Sequence, residues 1–238
     1  MILPIFRNGA ADLGLNLSEQ QIEQFEKYYH LLVEWNERFN LTAVTDYAEV
    51  QKVHFLDSLS LVQSGADLEE LKLVDVGAGA GFPGLPLKIA FPSVQLTLLE
   101  ATGKKAIFLT EIVAALQLTG ITVLNARAED AARQQENREQ YDVAVSRAVA
   151  SLDTLCELCL PLCRVGGMFI AMKKGEIQSE IDDAAKAINT LGGRLRTVID
   201  VNVPELEGSR KLIIIDKTNR TPPEYPRRSG MPSKKPIR

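Results

Sequence analysis

Short β-rich runs alternate with helical stretches through the middle of the chain, and this alternation restricts the possible folds more than any other feature. The β-rich runs are LKLVDV (71–76), VQLTLLE (94–100), ITVLNA (121–126), YDVAVS (141–146) and GMFIAMK (167–173). The helical stretches cover residues 85–91, 104–118, 128–133, 152–162 and 176–191. Repeated strand–helix–strand units predict a mostly parallel sheet with right-handed crossovers.

Two further β-rich runs follow, RLRTVIDVNV (194–203) and RKLIIIDK (210–217). The segment between them, PELEGS, is too short to hold a crossover helix, so the two strands must be antiparallel neighbours. The sequence therefore predicts an α/β fold with five parallel strands and a C-terminal antiparallel hairpin. Such a hairpin is an unusual ending for a nucleotide-binding sheet.

The first part of the chain has a different pattern, in which apolar residues recur at helical spacing. Ser18 predicts the N-cap of a helix that ends near residue 39. The expected buried stripe of this helix is Ile22, Phe25, Tyr29, Leu32 and Phe39. A second helix is expected over residues 46–62. We expect residues 1–66 to form a helical cap and residues 67–220 to form the core.

Charge is unevenly distributed along the chain, whose formal net charge is −4. From residue 217 to residue 238 there are seven basic residues and one acidic residue, which gives +6 there and leaves −10 for the rest. The proline-rich tail, residues 221–238, is expected to be extended or disordered unless it docks. Its charge indicates a polyanionic partner, although a solvated terminus that aids solubility explains the charge equally well.

Composition excludes several classes of protein. No run reaches the ~18 apolar residues of a membrane span, and the N-terminus lacks the pattern of a signal peptide. Three cysteines do not form a disulfide framework, so a reducing cytoplasm is the expected location. Cys156, Cys159 and Cys163 share one helical face and lack a fourth zinc ligand, so we expect buried structural thiols and no metal.

The clearest local signal is the segment LVDVGAGAGFPG (73–84), in which an apolar strand is followed by three glycines at alternate positions. Gly77, Gly79 and Gly81 allow a sharp turn and let a ligand approach bare backbone at the carboxyl edge of the sheet. Read from Gly79, the segment matches the dinucleotide signature, and Glu100 follows 21 residues later. These features favour a ligand that contains adenosine, either NAD or S-adenosylmethionine.

Two residues argue against NAD. Pro83 removes a backbone donor where a pyrophosphate would bind the N-terminus of the next helix. The carboxylate of Asp75 would repel a pyrophosphate but suits an ammonium or sulfonium group. S-adenosylmethionine carries both of these cations and no phosphate, so it is the expected cofactor.

These motifs resemble those of the class I S-adenosylmethionine-dependent methyltransferases. More narrowly, the chain resembles the bacterial family that methylates N7 of a guanine in small-subunit ribosomal RNA, also called the glucose-inhibited division protein B family. The segments that carry this resemblance are WNERFNLT (35–42), HFLDSL (54–59), DVGAGAGFPGLPLKI (75–89), LLEATGKKAIFL (98–109), SRA (146–148), KKG (173–175) and YPRRSGMP (225–232). The resemblance implies a class I methyltransferase core over residues 67–220, and a small-subunit ribosomal RNA or ribosomal subunit as the partner.

The resemblance also implies roles for residues at the ends of the strands. Glu100 and its neighbours would border the ribose, Glu129 and its neighbour would flank the adenine, and Arg147 would lie where cofactor and substrate meet. Arg147 would position ligands rather than move a proton, because guanine N7 carries no proton and needs no general base. The implied cofactor-binding residues, together with Asp75, are Gly77, Gly79, Gly81, Phe82, Glu100, Ala101, Thr102, Ala128, Glu129 and Arg147.

Basic residues lie at or just beyond the carboxyl ends of several predicted strands, where they would surround the ligand edge. An acidic protein with such a basic rim is suited to nucleic-acid phosphates. The RNA-binding residues predicted on the rim and in the tail are Lys104, Lys105, Lys173, Lys174, Arg227, Arg228, Lys234 and Lys235. We expect the tail to contribute RNA affinity and not cofactor affinity, and the protein to be a monomer without membrane contact.

Three other functions fit parts of the sequence. A small-molecule methyltransferase would share the fold but has no need of a terminus with a charge of +6. A non-catalytic sensor would bind S-adenosylmethionine without turnover, and a nicotinamide oxidoreductase would bind NAD instead.

His54, beside Asp57, is at least as readily a structural histidine as a functional one.

Overall fold

The β-rich runs of the sequence form a single sheet in the protein, for which a computed structural model describes residues 2–147, 150–203, 206 and 208–238. Its seven described strands are β1 (Lys72–Val76), β2 (Gln95–Leu99), β3 (Ile121–Leu124), β4 (Tyr141–Arg147), β5 (Cys163–Lys174), β6 (Gly193–Asp200) and β7 (Arg210–Lys217). Their order across the sheet is β3–β2–β1–β4–β5–β7–β6. The first five are parallel, whereas β7 is antiparallel to β5 and β6 is antiparallel to β7. The predicted fold, with five parallel strands and a terminal hairpin, is confirmed.

Helices connect and cover these strands. Those before the sheet are α1 (Pro4–Asp12), α2 (Glu19–Phe39) and one continuous run made of α3 (Tyr47–Val50), a π turn (Gln51–Leu56), α4 (Asp57–Leu59) and a 3₁₀ turn (Ser60–Ser64). The others are α5 (Gly84–Ala90), α6 (Gly103–Ala115), α7 (Ala128–Ala131), α8 (Leu152–Cys159), α9 (Gln178–Thr190) and α10 (Met231–Lys234). Helices α1 and α10 were not predicted from the sequence, because they are short and lack a long apolar stripe. In the described part of the chain, no helix has the length and apolar character needed to cross a membrane.

Both faces of the sheet are covered, which explains why its central strands are apolar runs rather than alternating ones. Along β1, Leu73 belongs to one hydrophobic cluster, whereas Val74 and Val76 belong to a second. The first cluster contains residues of α1, α2, α5 and α6, and the second contains residues of α7, α8 and α9. The sheet therefore lies between two helical layers, and the N-terminal helices extend one of them.

Helix α2 begins where the sequence places an N-cap. The Ser18 hydroxyl accepts a hydrogen bond from the Gln21 N–H at 3.3 Å, and the Gln21 side chain accepts one from the Ser18 N–H at 2.8 Å, which forms a capping box. The buried stripe differs from the prediction at two positions, because Tyr28 is buried in place of Tyr29, and Phe39 at the end of the helix is only half-buried. Helical spacing allows either position to face inward, and contact with the Phe82 ring selects Tyr28.

The C-terminal tail docks on the body of the protein instead of extending into solvent. Arg227 forms an ion pair with the buried Glu157, and Arg238 forms one with the buried Asp153. Tyr225 packs against the second hydrophobic cluster. The tail therefore has its own internal partners, and two of its arginines are paired with carboxylates of the body.

Candidate active site

The glycine-rich turn between β1 and α5 exposes backbone at the carboxyl edge of the sheet. Gly79 has a φ of 58°, and the nearest described atom to a Cβ built there, outside its chain neighbours, would be the Gly77 carbonyl oxygen at 3.8 Å. Gly81 differs, because a Cβ there would lie 2.6 Å from the Tyr28 hydroxyl and would also collide with Leu85. Gly79 thus leaves room for a ligand, whereas Gly81 allows α2 to pack on the turn.

Glu100, the residue after β2, holds the turn in place. One oxygen of its carboxylate accepts a hydrogen bond from the Gly79 N–H at 2.9 Å, and the other accepts one from the Thr102 N–H at 2.7 Å. The Asn125 side chain donates to the Glu100 carbonyl at 2.8 Å. Two segments that the sequence analysis assigned to one cofactor, residues 77–82 and 100–102, therefore meet at this carboxylate.

A cavity of about 120 Å³ lies next to the turn. It forms where β1 and β2 end at the same edge of the sheet and α7 and α8 approach that edge. Residues that line it include Gly77, Leu99, Ala101, Ala128, Glu129 and Leu158. The structure thus brings together four residues predicted to bind the cofactor, Gly77, Ala101, Ala128 and Glu129.

Asp75 lies beneath the turn and is fully buried. Its Oδ2 accepts a hydrogen bond from the Gly84 N–H at 2.8 Å, whereas none of the described residues donates to Oδ1. Burial raises the pKa of this carboxyl to about 7. Asp75 therefore holds the start of α5, and its Oδ1 needs a hydrogen-bond donor that the described protein does not supply.

Phe82 is nearly buried, and its ring contacts side chains from several segments at the end of the turn. Its ring stacks on Tyr28, with centroids 5.3 Å apart and 13° between the planes, and on His54, with centroids 4.6 Å apart and 17° between the planes. The guanidinium carbon of Arg147 lies 5.1 Å from the ring centroid, which is a cation–π distance. Phe82 therefore joins the N-terminal helices to the end of β4, and its contact with a cofactor stays a prediction.

His54 has partners within the protein at both ring nitrogens. Nε2 lies 2.9 Å from the Thr42 hydroxyl, and Nδ1 lies 3.1 Å from the Val53 carbonyl oxygen. Burial and the neighbouring Arg147 lower the pKa of His54 to about 3, so the ring is neutral at physiological pH. These contacts favour the structural interpretation of His54.

Arg147 belongs to a group of charged side chains that we call the basic cluster, namely Asp57, Arg147, Lys174 and Arg210. Arg147 Nη1 donates to one oxygen of the buried Asp57 at 2.9 Å, and Arg210 Nε donates to the other at 3.2 Å. Burial, together with Arg210, lowers the pKa of the Lys174 ammonium. Arg147 and Arg210 therefore share the carboxylate of Asp57, which lies close enough to Lys174 to interact with its charge.

Two members of this cluster, Asp57 and Arg210, were not predicted from the sequence. Asp57 lies on a helix before the sheet, and Arg210 begins the antiparallel strand β7, where it pairs in register with Lys174 at the end of β5. The amino end of an antiparallel neighbour meets the carboxyl end of a parallel strand, so the predicted hairpin was the signal that could have identified Arg210. Ala148, the last residue of the SRA motif, lies outside the described residues.

The structure separates the predicted RNA-binding residues into internal and exposed ones. Lys173 is largely buried, and its Nζ lies 2.7 Å from a carboxylate oxygen of Glu180. Neighbouring residues of a strand face opposite sides of the sheet, so Lys174 lies at the basic cluster and Lys173 pairs on the other side. Arg227 is paired with Glu157. The exposed members are Lys104, Lys174, Arg228, Lys234 and Lys235, and Lys105 is half-exposed. Their contact with RNA stays a prediction.

The three cysteines are buried on and after α8. Burial raises the pKa of the Cys163 thiol to about 12 and raises those of Cys156 and Cys159 as well, which makes all three unreactive. Within the described ranges, no group of three histidine, cysteine, aspartate or glutamate residues has the arrangement of a metal site.

Comparison with known proteins identifies relatives over almost the entire chain. Residues 21–213 match the family model described as rRNA small subunit methyltransferase G. The ribosomal RNA small subunit methyltransferase G of Dehalococcoides mccartyi strain CBDB1 is 54% identical over 96% of this chain and 97% of its own. The proteins of the same name from Limosilactobacillus reuteri and Alkaliphilus metalliredigens are 46% and 44% identical, each over 98% of both chains.

Solved structures of low sequence identity share the fold. A predicted O-methyltransferase from Agrobacterium tumefaciens has a TM-score of 0.53 at 21% identity, over 71% of this chain and 82% of that one. A SAM-dependent methyltransferase from Aquifex aeolicus has a TM-score of 0.51 at 15% identity, over 67% of this chain and 88% of that one. These similarities confirm the class I methyltransferase fold. The length of the family match and the identity of the relatives show, beyond the fold, that the protein belongs to the rRNA small subunit methyltransferase G family.

Proposed function

We propose that the protein transfers a methyl group from S-adenosylmethionine to N7 of a guanine in small-subunit ribosomal RNA. Membership of the family makes it a methyltransferase with S-adenosylmethionine as cofactor. The observation that carries the proposal is the position of Arg147, which contacts both Phe82 of the glycine-rich turn and Asp57 of the basic cluster. A cofactor site and a surface that attracts phosphate thereby share one edge of the sheet.

The residues around the turn fit S-adenosylmethionine. When bound, this cofactor supplies a methyl group activated by a positively charged sulfur. Gly77, Ala101 and Glu129 would hold its adenosine part in the cavity, and Glu100 would bind the ribose hydroxyls. The unpaired Oδ1 of Asp75 would accept a hydrogen bond from the ammonium group, which is the donor that this buried oxygen lacks. The open space beside Gly79 leaves room for a ligand to approach the backbone.

The basic cluster fits a phosphate of the RNA backbone. The side chains of Arg147 and Arg210 are 14% and 10% exposed, so each keeps some contact with solvent although both pair with Asp57. Arginine binds phosphate through two parallel hydrogen bonds, and Lys174 adds a third basic side chain beside Arg147 and Arg210. We therefore propose that Arg147, Arg210 and Lys174 orient the target nucleotide next to the cofactor.

The proposed acceptor removes the need for a general base. Guanine N7 holds a lone pair in the plane of the ring and carries no proton at neutral pH, so its attack on the methyl carbon releases none. His54 is a poor proton acceptor because of its low pKa and its two internal partners. The contribution of the protein is then alignment of donor and acceptor, which can lower a barrier by ~7–11 kcal/mol.

We further propose how the chain is divided between these tasks. Residues 67–220 would form the cofactor-binding core, residues 1–66 a helical cap that buttresses Phe82, and residues 221–238 a tail. A small-subunit ribosomal RNA substrate supports a cytoplasmic reaction, and the proposed site residues all come from one chain, which supports a monomer. Sedimentation at micromolar concentration checks the monomer.

Methyl transfer to isolated substrates tests the function. Protein and labelled S-adenosylmethionine are incubated with intact small subunits, naked small-subunit RNA or large-subunit RNA, and the RNA is digested to nucleosides. We expect label only in 7-methylguanosine from the small-subunit samples, and the ratio between subunit and naked RNA identifies the preferred substrate. Label in an exocyclic amine, in a ribose or in large-subunit RNA would contradict the proposal.

A further inference from the structure

The tail is anchored to α8 by a buried carboxylate. Glu157 is fully buried and accepts hydrogen bonds from Arg227 at three nitrogens, with distances of 2.7 Å from the backbone N, 2.9 Å from Nε and 2.6 Å from Nη2. A buried carboxylate left without its partner is costly, so this ion pair fixes the tail firmly. The next residue of α8, Leu158, lines the cavity beside the glycine-rich turn.

The tail also holds the first turn of α7. The Gly230 N–H donates to Glu129 Oε1 at 2.7 Å, and the Ser229 hydroxyl donates to Asp130 at 2.8 Å. Glu129 is nearly buried and lines the same cavity. One oxygen of a predicted cofactor-binding carboxylate is therefore already bonded to the tail.

Further hydrogen bonds hold the tail against the side of the protein formed by α7, α8 and the residues that follow α7. Arg133 donates to the Pro226 carbonyl oxygen at 2.6 Å, and Arg138 donates to the Tyr225 carbonyl oxygen at 2.8 Å. The Thr154 hydroxyl of α8 donates to the Pro232 carbonyl oxygen at 3.4 Å. The tail thus spans the two helices, α7 and α8, that form one wall of the cavity.

We propose that the docked tail is part of the cofactor site, with Arg227 and the backbone N–H of Gly230 as positioning groups that hold Glu129 and α8 in the binding arrangement. Tail docking and cofactor binding then favour each other, because coupling between two sites is reciprocal. This inference rests on the proposed placement of S-adenosylmethionine in the cavity. It revises the expectation that the tail contributes RNA affinity alone.

Two arginine variants of the full chain test the coupling. Arg227→Ala removes the side-chain contacts with Glu157, whereas Arg220→Ala removes the same charge from an exposed residue just before the tail and serves as the matched control. Calorimetric titration with S-adenosylmethionine, without RNA, should show affinity reduced about tenfold in Arg227→Ala and unchanged in Arg220→Ala. Arg227→Lys keeps one charged contact and should restore part of the affinity. Equal affinities in all variants would overturn the proposal.

A second measurement needs no variant and therefore does not depend on the folding of Arg227→Ala. Trypsin can cleave the tail after the exposed Arg228 and Lys234 when the tail detaches. We expect saturating S-adenosylmethionine to slow this cleavage about fivefold or more, because the cofactor stabilises the docked tail. Cleavage at the same rate with and without cofactor would overturn the coupling.

The titration and the cleavage measurement together distinguish a failure of this inference from a failure of the proposed cofactor site. Wild-type protein that fails to bind S-adenosylmethionine would contradict the cofactor site itself. Wild-type protein that binds the cofactor, while Arg227→Ala binds equally well and tail cleavage is unaffected, would overturn the coupling and leave the cofactor site standing.

Discussion

Two residues four positions apart, Asp75 and Gly79, show what single side chains and glycines contribute at this edge of the sheet. Gly79 contributes open space and a backbone N–H that is fixed by Glu100. Asp75 contributes a buried oxygen that has no donor among the described residues. The open space at Gly79 leaves room for a ligand, and the unpaired oxygen of Asp75 would favour a cationic one. Each residue therefore supports a separate prediction.

Gly79→Val should abolish most cofactor binding. The branched side chain would fill the space beside the turn and would disturb the contact with Glu100, so we expect S-adenosylmethionine affinity to fall at least about tenfold in calorimetry. Gly14→Val is the matched control, because Gly14 also has a positive φ, 77°, and open space, but lies beyond α1. Both variants should lose roughly 1–2 kcal/mol of stability through the strained φ. Unchanged cofactor affinity in Gly79→Val would contradict the assignment.

Asp75 should make the free energy of unfolding depend on pH. Its pKa is raised from 3.8 to about 7 in the folded state, so the folded protein binds the proton more tightly than the unfolded chain does. This contribution is present below pH 3.8 and is lost as pH rises to about 7. Asp75→Asn retains an acceptor for the Gly84 N–H and removes the titration. Urea unfolding at about pH 5 and pH 8 should show wild type losing more stability than the variant, and parallel losses would contradict this.

At the scale of secondary-structure elements, the terminal hairpin completes the candidate site. Strand β7 places Arg210 against Asp57, a residue 153 positions earlier in the chain, and beside Lys174 of β5. The hairpin is therefore more than an edge of the sheet, because it supplies a cation that faces the end of β4.

Arg210→Ala should weaken RNA binding without affecting cofactor binding. Loss of one phosphate contact should lower the slope of log affinity against log salt by about 1. Arg194→Ala, on the neighbouring strand β6, removes an arginine whose side chain is 72% exposed and paired with Asp216, so it should leave the slope unchanged. Filter binding of small-subunit RNA at several salt concentrations measures both variants. A slope equal to that of wild type in Arg210→Ala would mean that this residue does not contact the backbone.

At the scale of the whole molecule, the N-terminal helices and the sheet share one hydrophobic cluster. Phe6 of α1, Phe25 of α2 and Phe55 of the π turn pack ring against ring, and Tyr28 connects this group to Phe82 of the glycine-rich turn. The Tyr28 hydroxyl also donates to the Ala80 carbonyl oxygen at 2.5 Å in the buried interior. The helices before the sheet and the sheet itself should therefore unfold together.

Tyr28→Phe tests this connection. The change leaves the buried Ala80 carbonyl without its donor, so we expect a loss of about 1–3 kcal/mol. Tyr29→Phe is the control, since the Tyr29 hydroxyl makes a longer hydrogen bond, 3.2 Å, at a half-buried position, and its removal should lower the free energy of unfolding less.

Two spectroscopic probes test whether the helices and the sheet unfold together. The single tryptophan, Trp35, reports on α2, and circular dichroism reports on the whole chain. Two separate transitions from these probes would show that the helices unfold independently.

The sequence by itself determined the sheet, its terminal hairpin and the glycine-rich turn. These features arise from neighbouring residues: β-rich runs of fitting length, a six-residue connection at 204–209, and glycines that follow a buried strand. The sequence also predicted that Gly79 and Glu100 belong to one adenosine site. Their spacing along the chain follows from a single strand–helix–strand unit, and the two residues are hydrogen-bonded in the structure.

Only the tertiary structure decided which side chains from distant segments meet. Helical periodicity predicted Tyr29 in the buried stripe, and the packing of Tyr28 on Phe82 buries Tyr28 instead. The sharing of Asp57 by Arg147 and Arg210 depends on packing between segments far apart in sequence, which no local pattern encodes. The tail is the clearest case. Its composition predicts a segment that is extended or disordered unless it docks, and composition does not show whether it docks. The buried carboxylate of Glu157 makes it part of the folded protein, because leaving this carboxylate without Arg227 would be costly.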